Sequence, residues 1–274
     1  MQRFGYWLGV FCLAWWTTAA QGQSLPALQK SLQGLDATVV VSDLRTGAFL
    51  RWHEARLTQA FPPFATFEIP VALAALESRA VRNLNELTPW NRLKYPLAAM
   101  QSEHGADHWA EDHTLRSAFA HSVEWYWQET SERLGAERLR KALSKLHYGN
   151  QSLPPALMQC WQDDALLISA QAQADFITAL VKESLPLGKI AQRNLKDLLL
   201  RESGDGYQFY LKTSVGFLQS GHYLGWSLGW LETTDGAYVF ALNLTHRDRE
   251  IVQEAVLSLP KKVLAAAGYG PLSE

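Results

Sequence analysis

The chain has 274 residues, of which 47% are hydrophobic and 19% charged; that permits one sizeable core and excludes wholesale disorder. Its 25 Lys+Arg and 27 Asp+Glu leave a formal net charge of -2, and the basic residues are scattered. Such a chain has no field to gather nucleic acid or anionic membrane, so neither is expected as a partner.

Residues 1–22 read as a signal peptide. Arg3 supplies a short positive region, Tyr6 to Trp16 an apolar run, and Thr18-Ala19-Ala20 the small residues of a cleavage site. Cleavage is expected near Ala20–Gly22, with delivery to a Gram-negative periplasm and one mature domain over 23–274. The apolar run falls short of the ~20 residues of a membrane span, but Trp7, Trp15 and Trp16 leave an uncleaved interfacial anchor as an alternative. Cys12 would leave with that segment and Cys160 would stand alone, so no internal disulfide is expected.

Thr38 to Ser42 is rich in β-branched residues, and Ala48 to Trp52 answers it across Leu44-Arg45-Thr46-Gly47, which reads as a hairpin. Pro70 suits the first turn of a helix continued by Val71 to Glu77. Thr114 to Leu146 reads as helical with a break near Gly135, followed by helices over Ser169 to Glu183 and Lys189 to Leu200. The period then changes: Gln208 to Leu211, Tyr223 to Leu231 and Tyr238 to Leu244 read as strands, and Glu250 to Ala267 as a closing helix. An α+β domain follows, in which the first hairpin joins the late strands in one antiparallel sheet flanked by helices, with a helical middle region.

Four segments carry the chemistry. They are Phe64-Ala65-Thr66-Phe67-Glu68-Ile69-Pro70, Ser122-Val123-Glu124, Tyr148-Gly149-Asn150 and Lys212-Thr213-Ser214. In order and spacing, with Trp161 after the third and Gly225-Trp226-Ser227-Leu228-Gly229-Trp230 after the fourth, they resemble the class D β-lactamases of the penicillin-recognising serine hydrolases. The resemblance implies a β-lactamase/transpeptidase-like fold. It also implies a serine nucleophile on a buried helix, a carbamylated lysine one turn later as general base, and two backbone N–H groups holding the oxyanion. The Lys-Thr segment and a later arginine would receive a substrate carboxylate; Arg249 and Arg247 are the candidates, with Arg249 preferred.

Against that pattern the chain departs at its catalytic positions. Ala65 stands where the serine is implied and Glu68 where the lysine is implied, while Glu124 takes a position that is apolar in the family and Ser214 one that is glycine. A methyl group is no nucleophile, and losing one costs about a million-fold in an unrelated serine hydrolase. Thr66 offers no rescue, because the next helical position points about 100° away. Glu68 and Glu124 are expected to face one pocket beside Ser122, with either a proton or Lys212 separating their charges. These groups form either a neutralised network filling an old active site or a working one.

No cofactor and no metal is expected: His104, His108 and His113, with Asp107, Glu111 and Asp112, match no compact zinc spacing. Trp161 reads equally as packing or as a substrate wall, and most other tryptophans as core. The leading expectation is a periplasmic pseudoenzyme that binds β-lactams or peptidoglycan stem peptides without acylation. The alternatives are a hydrolase using water activated by Glu68 or Glu124, and a structural accessory partner of a periplasmic cell-wall enzyme.

Overall fold

Alternation along the strands builds two cores on the two faces of one sheet. The computed structural model describes residues 26, 28–96, 108–153 and 165–270. Six antiparallel strands run in the order β2-β1-β8-β7-β6-β5, with β1 Asp36–Asp43, β2 Phe49–Trp52, β5 Leu200–Gly204, β6 Tyr207–Phe217, β7 Tyr223–Thr233 and β8 Gly236–His246. Val40, Val239 and Ala241 face one core, while Val39, Val41, Phe240 and Leu242 face the other, as a period of two requires. The expected union of the first hairpin with the late strands is therefore present. Its turn is held by Asp43, whose carboxylate accepts from the N–H groups of Arg45 and Thr46 at 2.8 and 3.1 Å.

Helix α8 (Arg249–Ala266) covers one face, against β6, β7 and β8. Central strand β7 accommodates it with small residues. A Cβ at Gly225 would lie 2.4 Å from Val256 Cγ1, and the Ser227 hydroxyl donates to the Val256 carbonyl at 2.6 Å. The alternate residues Trp226 and Trp230 are wholly buried in the opposite core, with Trp226 Nε1 donating to the Pro62 carbonyl at 2.9 Å. These two tryptophans are structural.

On that opposite face lies the helical layer. The short α1 (Glu54–Leu57), the two-stranded β3–β4 ribbon (Ala60–Phe61 and Ile168–Ser169) and a 3₁₀ turn (Phe64–Phe67) lead to α2 (Glu68–Ser78). Every residue of α2 from Glu68 to Ala75 is buried, the mark of a helix enclosed on all sides. It is surrounded by α4 (Glu124–Leu134), α5 (Ala136–Leu146) and α7 (Lys189–Leu199), while α6 (Ala170–Val181) packs on β1, β7 and β8.

Two boundaries correct the sequence reading. The stretch 114–146 breaks twice, because α3 (Leu115–His121) ends before α4 begins. Ser122 adopts a left-handed conformation (φ 47), so that its N–H and that of Val123 both donate to the Ala118 carbonyl; this closes α3 and turns the chain into α4. The helix expected to run to Leu200 ends at Leu199, and Leu200 opens β5, an edge strand pairing with β6.

Candidate functional site

Ala65, Glu68, Ser122, Glu124, Lys212, Thr213 and Ser214 all line one cavity of about 540 Å³ between the helical layer and β6. They come from the 3₁₀ turn, helix α2, the α3–α4 junction with the start of α4, and strand β6. Ala65 sits on the 3₁₀ turn, which Phe64 enters with φ 46; for a bulky residue that left-handed backbone costs roughly 1–2 kcal/mol. The Phe64 ring lies over Gly216, where a Cβ would stand 2.4 Å from its carbons. Thr66 points the other way, buried in the core, donating to the Pro63 carbonyl at 2.6 Å and accepting from Gln173 at 3.1 Å.

In the cavity wall a lysine and a glutamate meet, both buried. Lys212 Nζ lies 2.5 Å from Glu68 Oε2, 2.8 Å from the Phe119 carbonyl and 3.0 Å from Ser122 Oγ. An ammonium has three N–H donors, and here each has an acceptor. The Phe119 ring lies beneath it, 4.2 Å from centroid to nitrogen. Burial pushes the Glu68 carboxyl up to about 7, opposed by Lys212 and by the Ser122 hydroxyl. The same burial pulls the Lys212 ammonium down, opposed by Glu68. Desolvation thus works against both charges and their mutual attraction holds them.

Glu124, half-buried at the start of α4, accepts from Gln128 Nε2 at 3.0 Å and has no ion pair among the described residues. Burial raises its carboxyl above the ordinary range, with the Gln128 donor opposing. Of the two carboxylates expected to share the pocket, Lys212 neutralises Glu68 alone.

Strand β6 borders the cavity with an open edge. Its pairing with β5 extends no further along β6 than Tyr210, and the Leu211 carbonyl on that side is taken by Arg201 Nε at 3.1 Å. Backbone groups of an antiparallel strand alternate sides, so Thr213 and Val215 present their N–H and C=O groups to the open edge. Between them, the Ser214 hydroxyl donates to the Pro63 carbonyl at 3.2 Å and ties the strand to the 3₁₀ turn.

The remaining motif residues do other work. In Tyr148-Gly149-Asn150, the Asn150 amide donates to the Ala165 carbonyl at 2.8 Å and accepts from the Leu167 N–H at 3.1 Å. A Cβ at Gly149 would stand 2.4 Å from the Leu167 carbonyl oxygen. This motif staples a loop. Arg249 opens α8 and does not line the cavity, so the geometry does not bring the preferred arginine to the site. Trp161 lies outside the described residues, as do His104, Asp107 and Cys160. His113 engages Ser117 Oγ at 2.9 Å and the His108 carbonyl at 2.6 Å through its two ring nitrogens.

Residues 37–266 match the penicillin binding protein transpeptidase domain. The chain is 32% identical to probable β-lactamase YbxI of Bacillus subtilis over 76% of its length and 74% of that protein. It is 31% identical to β-lactamase OXA-2 of Salmonella typhimurium over 77% of its length and 73% of that protein. This chain belongs to the class D β-lactamase family. Among solved structures, the class D β-lactamase BAT-2 superposes with a TM-score of 0.78 at 28% identity, covering 89% of this chain and 97% of that one. YbXI from Nostoc superposes at 0.81 and 26% identity, covering 89% and 99%.

Among the cavity residues that the sequence reading did not single out are Arg201, Trp109, Trp127 and Phe217. Arg201 was hidden because its strand was not seen. Nothing local marks the other three, which only the packing brings together.

Proposed function

We propose that this protein is a non-acylating member of its family, holding β-lactams or peptidoglycan stem peptides in its cavity without forming an ester. The carrying observation is that the closed Lys212–Glu68–Ser122 network and the Ala65 methyl group line one open cavity. The network has no nucleophile to activate, since its hydroxyl and its ammonium are bound to each other and to a carboxylate. The groove beside it keeps what a peptide-like ligand needs: an unpaired strand edge at Thr213 and Val215, and aromatic walls. The residue pattern of 1–22 supports a periplasmic setting for this binding, after removal of that segment.

Intact-mass spectrometry of the protein from expressing cells, with and without excess benzylpenicillin and beside a hydrolysis assay, tests this. The expected result is a chain lacking residues 1–22, with no covalent adduct and no turnover above buffer. A stable adduct or measurable turnover overturns the reading.

One observation favours a second reading. A carboxyl near 7 lies in the range of a general base, which would let Glu68 activate water directly. Its hydrogen bond to Lys212 lowers that basicity, and direct water attack forfeits covalent catalysis. Adduct-free turnover that Glu68→Gln abolishes would replace the first reading with this one.

A further inference from the structure

Glu68 and Glu124 line one cavity, and only one of them is answered. Lys212 belongs to Glu68, with its other two donors on the Phe119 carbonyl and Ser122 Oγ. Arg201, the other lysine or arginine described in the cavity wall, also acts electrostatically on Glu68. Nothing comparable acts on Glu124. Among the described residues it has no ion pair, and what moves its carboxyl is burial, opposed by the neutral Gln128 amide. The imidazole in the wall, His121, lies stacked on His108 with ring centroids 4.7 Å apart and is not among the groups acting on Glu124. A carboxylate that water half reaches has lost part of its hydration and has gained no cation in return.

The surroundings of Glu124 hold that charge in a defined place. It stands in the first turn of α4, where the helix dipole and the free N–H groups favour an anion. Trp127 follows it by three positions, on the same helix face, and both line the cavity. Trp109 lines it as well and is held from two sides. Its Nε1 donates to the His121 carbonyl at 3.2 Å, and its carbonyl accepts from Trp125 Nε1 at 2.7 Å. Those two partners flank Glu124 in the chain, so both indoles stand at the α4 wall. Among the described residues no cation lies over either ring, whereas Lys212 already occupies the Phe119 ring. A carboxylate with tryptophan beside it suits an ammonium group, which donates N–H to the one and lies against the face of the other. An anionic or apolar ligand group at this wall would take away more of the water of Glu124 and pair with nothing.

We infer that Glu124, with the Trp109 and Trp127 rings, forms a subsite for a primary ammonium group of the ligand. The inference rests on the binding reading above and adds a feature that the ligand carries, a free amine docked at the α4 wall rather than along β6.

The test is calorimetric titration of the full protein with two pairs of ligands that differ in one amine. The first is Nα-acetyl-L-lysyl-D-alanyl-D-alanine against the same peptide acetylated on its side-chain nitrogen. The second is ampicillin against benzylpenicillin, which lacks the side-chain amine. Every member keeps its carboxylate, so each comparison reads the amine alone. The wild type is expected to prefer the amine-bearing member by about 5- to 20-fold, the lower part of the range for a charge-assisted hydrogen bond because Glu124 is half exposed. Glu124→Gln keeps the shape of the side chain without its charge, and should bind the two members of each pair within about 2-fold of each other. Glu124→Val, which returns an apolar residue to this position, should lose the preference too and carries the comparison where Glu124→Gln does not fold. Thermal melting separates lost recognition from lost folding. A wild type that binds both members of each pair alike overturns the inference, as does a folded variant that keeps the amine preference, and either result leaves the binding reading standing. A wild type that binds no member of either pair overturns both.

Discussion

Two ion pairs in this molecule share a length and differ in everything that length does not measure. Arg56 Nη1 meets Asp36 Oδ2 at 2.5 Å, and Lys212 Nζ meets Glu68 Oε2 at 2.5 Å. Each cation is buried, and each lies over an aromatic ring, Phe61 at 4.6 Å and Phe119 at 4.2 Å. The anions separate them: the Asp36 side chain is 56% exposed, the Glu68 side chain 9%. Arg56 is further tied through Nε to Asn243 Oδ1 at 2.8 Å, so its pair fastens α1 to the ends of β1 and β8 with the carboxylate still in water. Glu68 has given up that water. The comparison teaches that a salt bridge's consequence is set by the solvation of its weaker-held end, because the desolvation penalty grows steeply with burial while the contact distance stays the same.

Removing one end of the dry pair should produce the largest effect. Lys212→Met leaves Glu68 buried without its cation, and the expected loss at pH 8 is about 3–5 kcal/mol by urea denaturation. The pH dependence has a definite sign. The folded carboxyl titrates near 7 with Lys212 present, against an ordinary value of 4.5, and loss of the cation pushes it higher. A carboxyl with a raised folded pKa takes up its proton on folding, so stability rises as pH falls from above that value toward 4.5. The deficit of Lys212→Met should therefore shrink between pH 8 and pH 5. Equal deficits at both pH values would mean that Glu68 is not the group left stranded.

The dry pair also marks where the sequence stops being readable. The hairpin and the late strands were legible because β-branched and aromatic residues there alternate with a period of two, and the two cores keep that alternation. The closure of α3 at Ser122 was not, because a serine holds the left-handed position usually signalled by glycine. Strand β5 was missed because Leu200 continues the helical pattern of α7, and only pairing with Tyr210 across the β5–β6 turn makes it a strand. At the site, Glu68 and Lys212 are 144 residues apart, and no local pattern joins them; the family resemblance did. That resemblance has no counterpart for Arg201. It also pointed to Arg249, which the structure places at the first position of α8, next to the Asp248 cap.

Replacing both ends of the dry pair should cost far less than replacing one. Glu68→Leu with Lys212→Met removes two desolvated charges together, and the double variant is expected within about 1 kcal/mol of wild type, or above it. A double variant as unstable as Lys212→Met would show that the Phe119 carbonyl and the Ser122 hydroxyl, left without their donor, set the cost instead.

The smallest effect belongs to the wet pair. Asp36→Asn keeps an acceptor for Arg56 and for Thr245, whose hydroxyl donates to Asp36 at 3.1 Å, and removes only a charge that water already screens. The expected loss is under about 1 kcal/mol and fades further in ~1 M salt, where the screening length falls to about 3 Å. The dry pair, with both side chains buried, should keep its deficit in Lys212→Met at the same salt concentration. A salt-insensitive loss of several kcal/mol in Asp36→Asn would mean that the exposure of the anion does not separate the two sites. Burial of the cation would then be what decides, and Arg56 and Lys212 would be one kind of site rather than two.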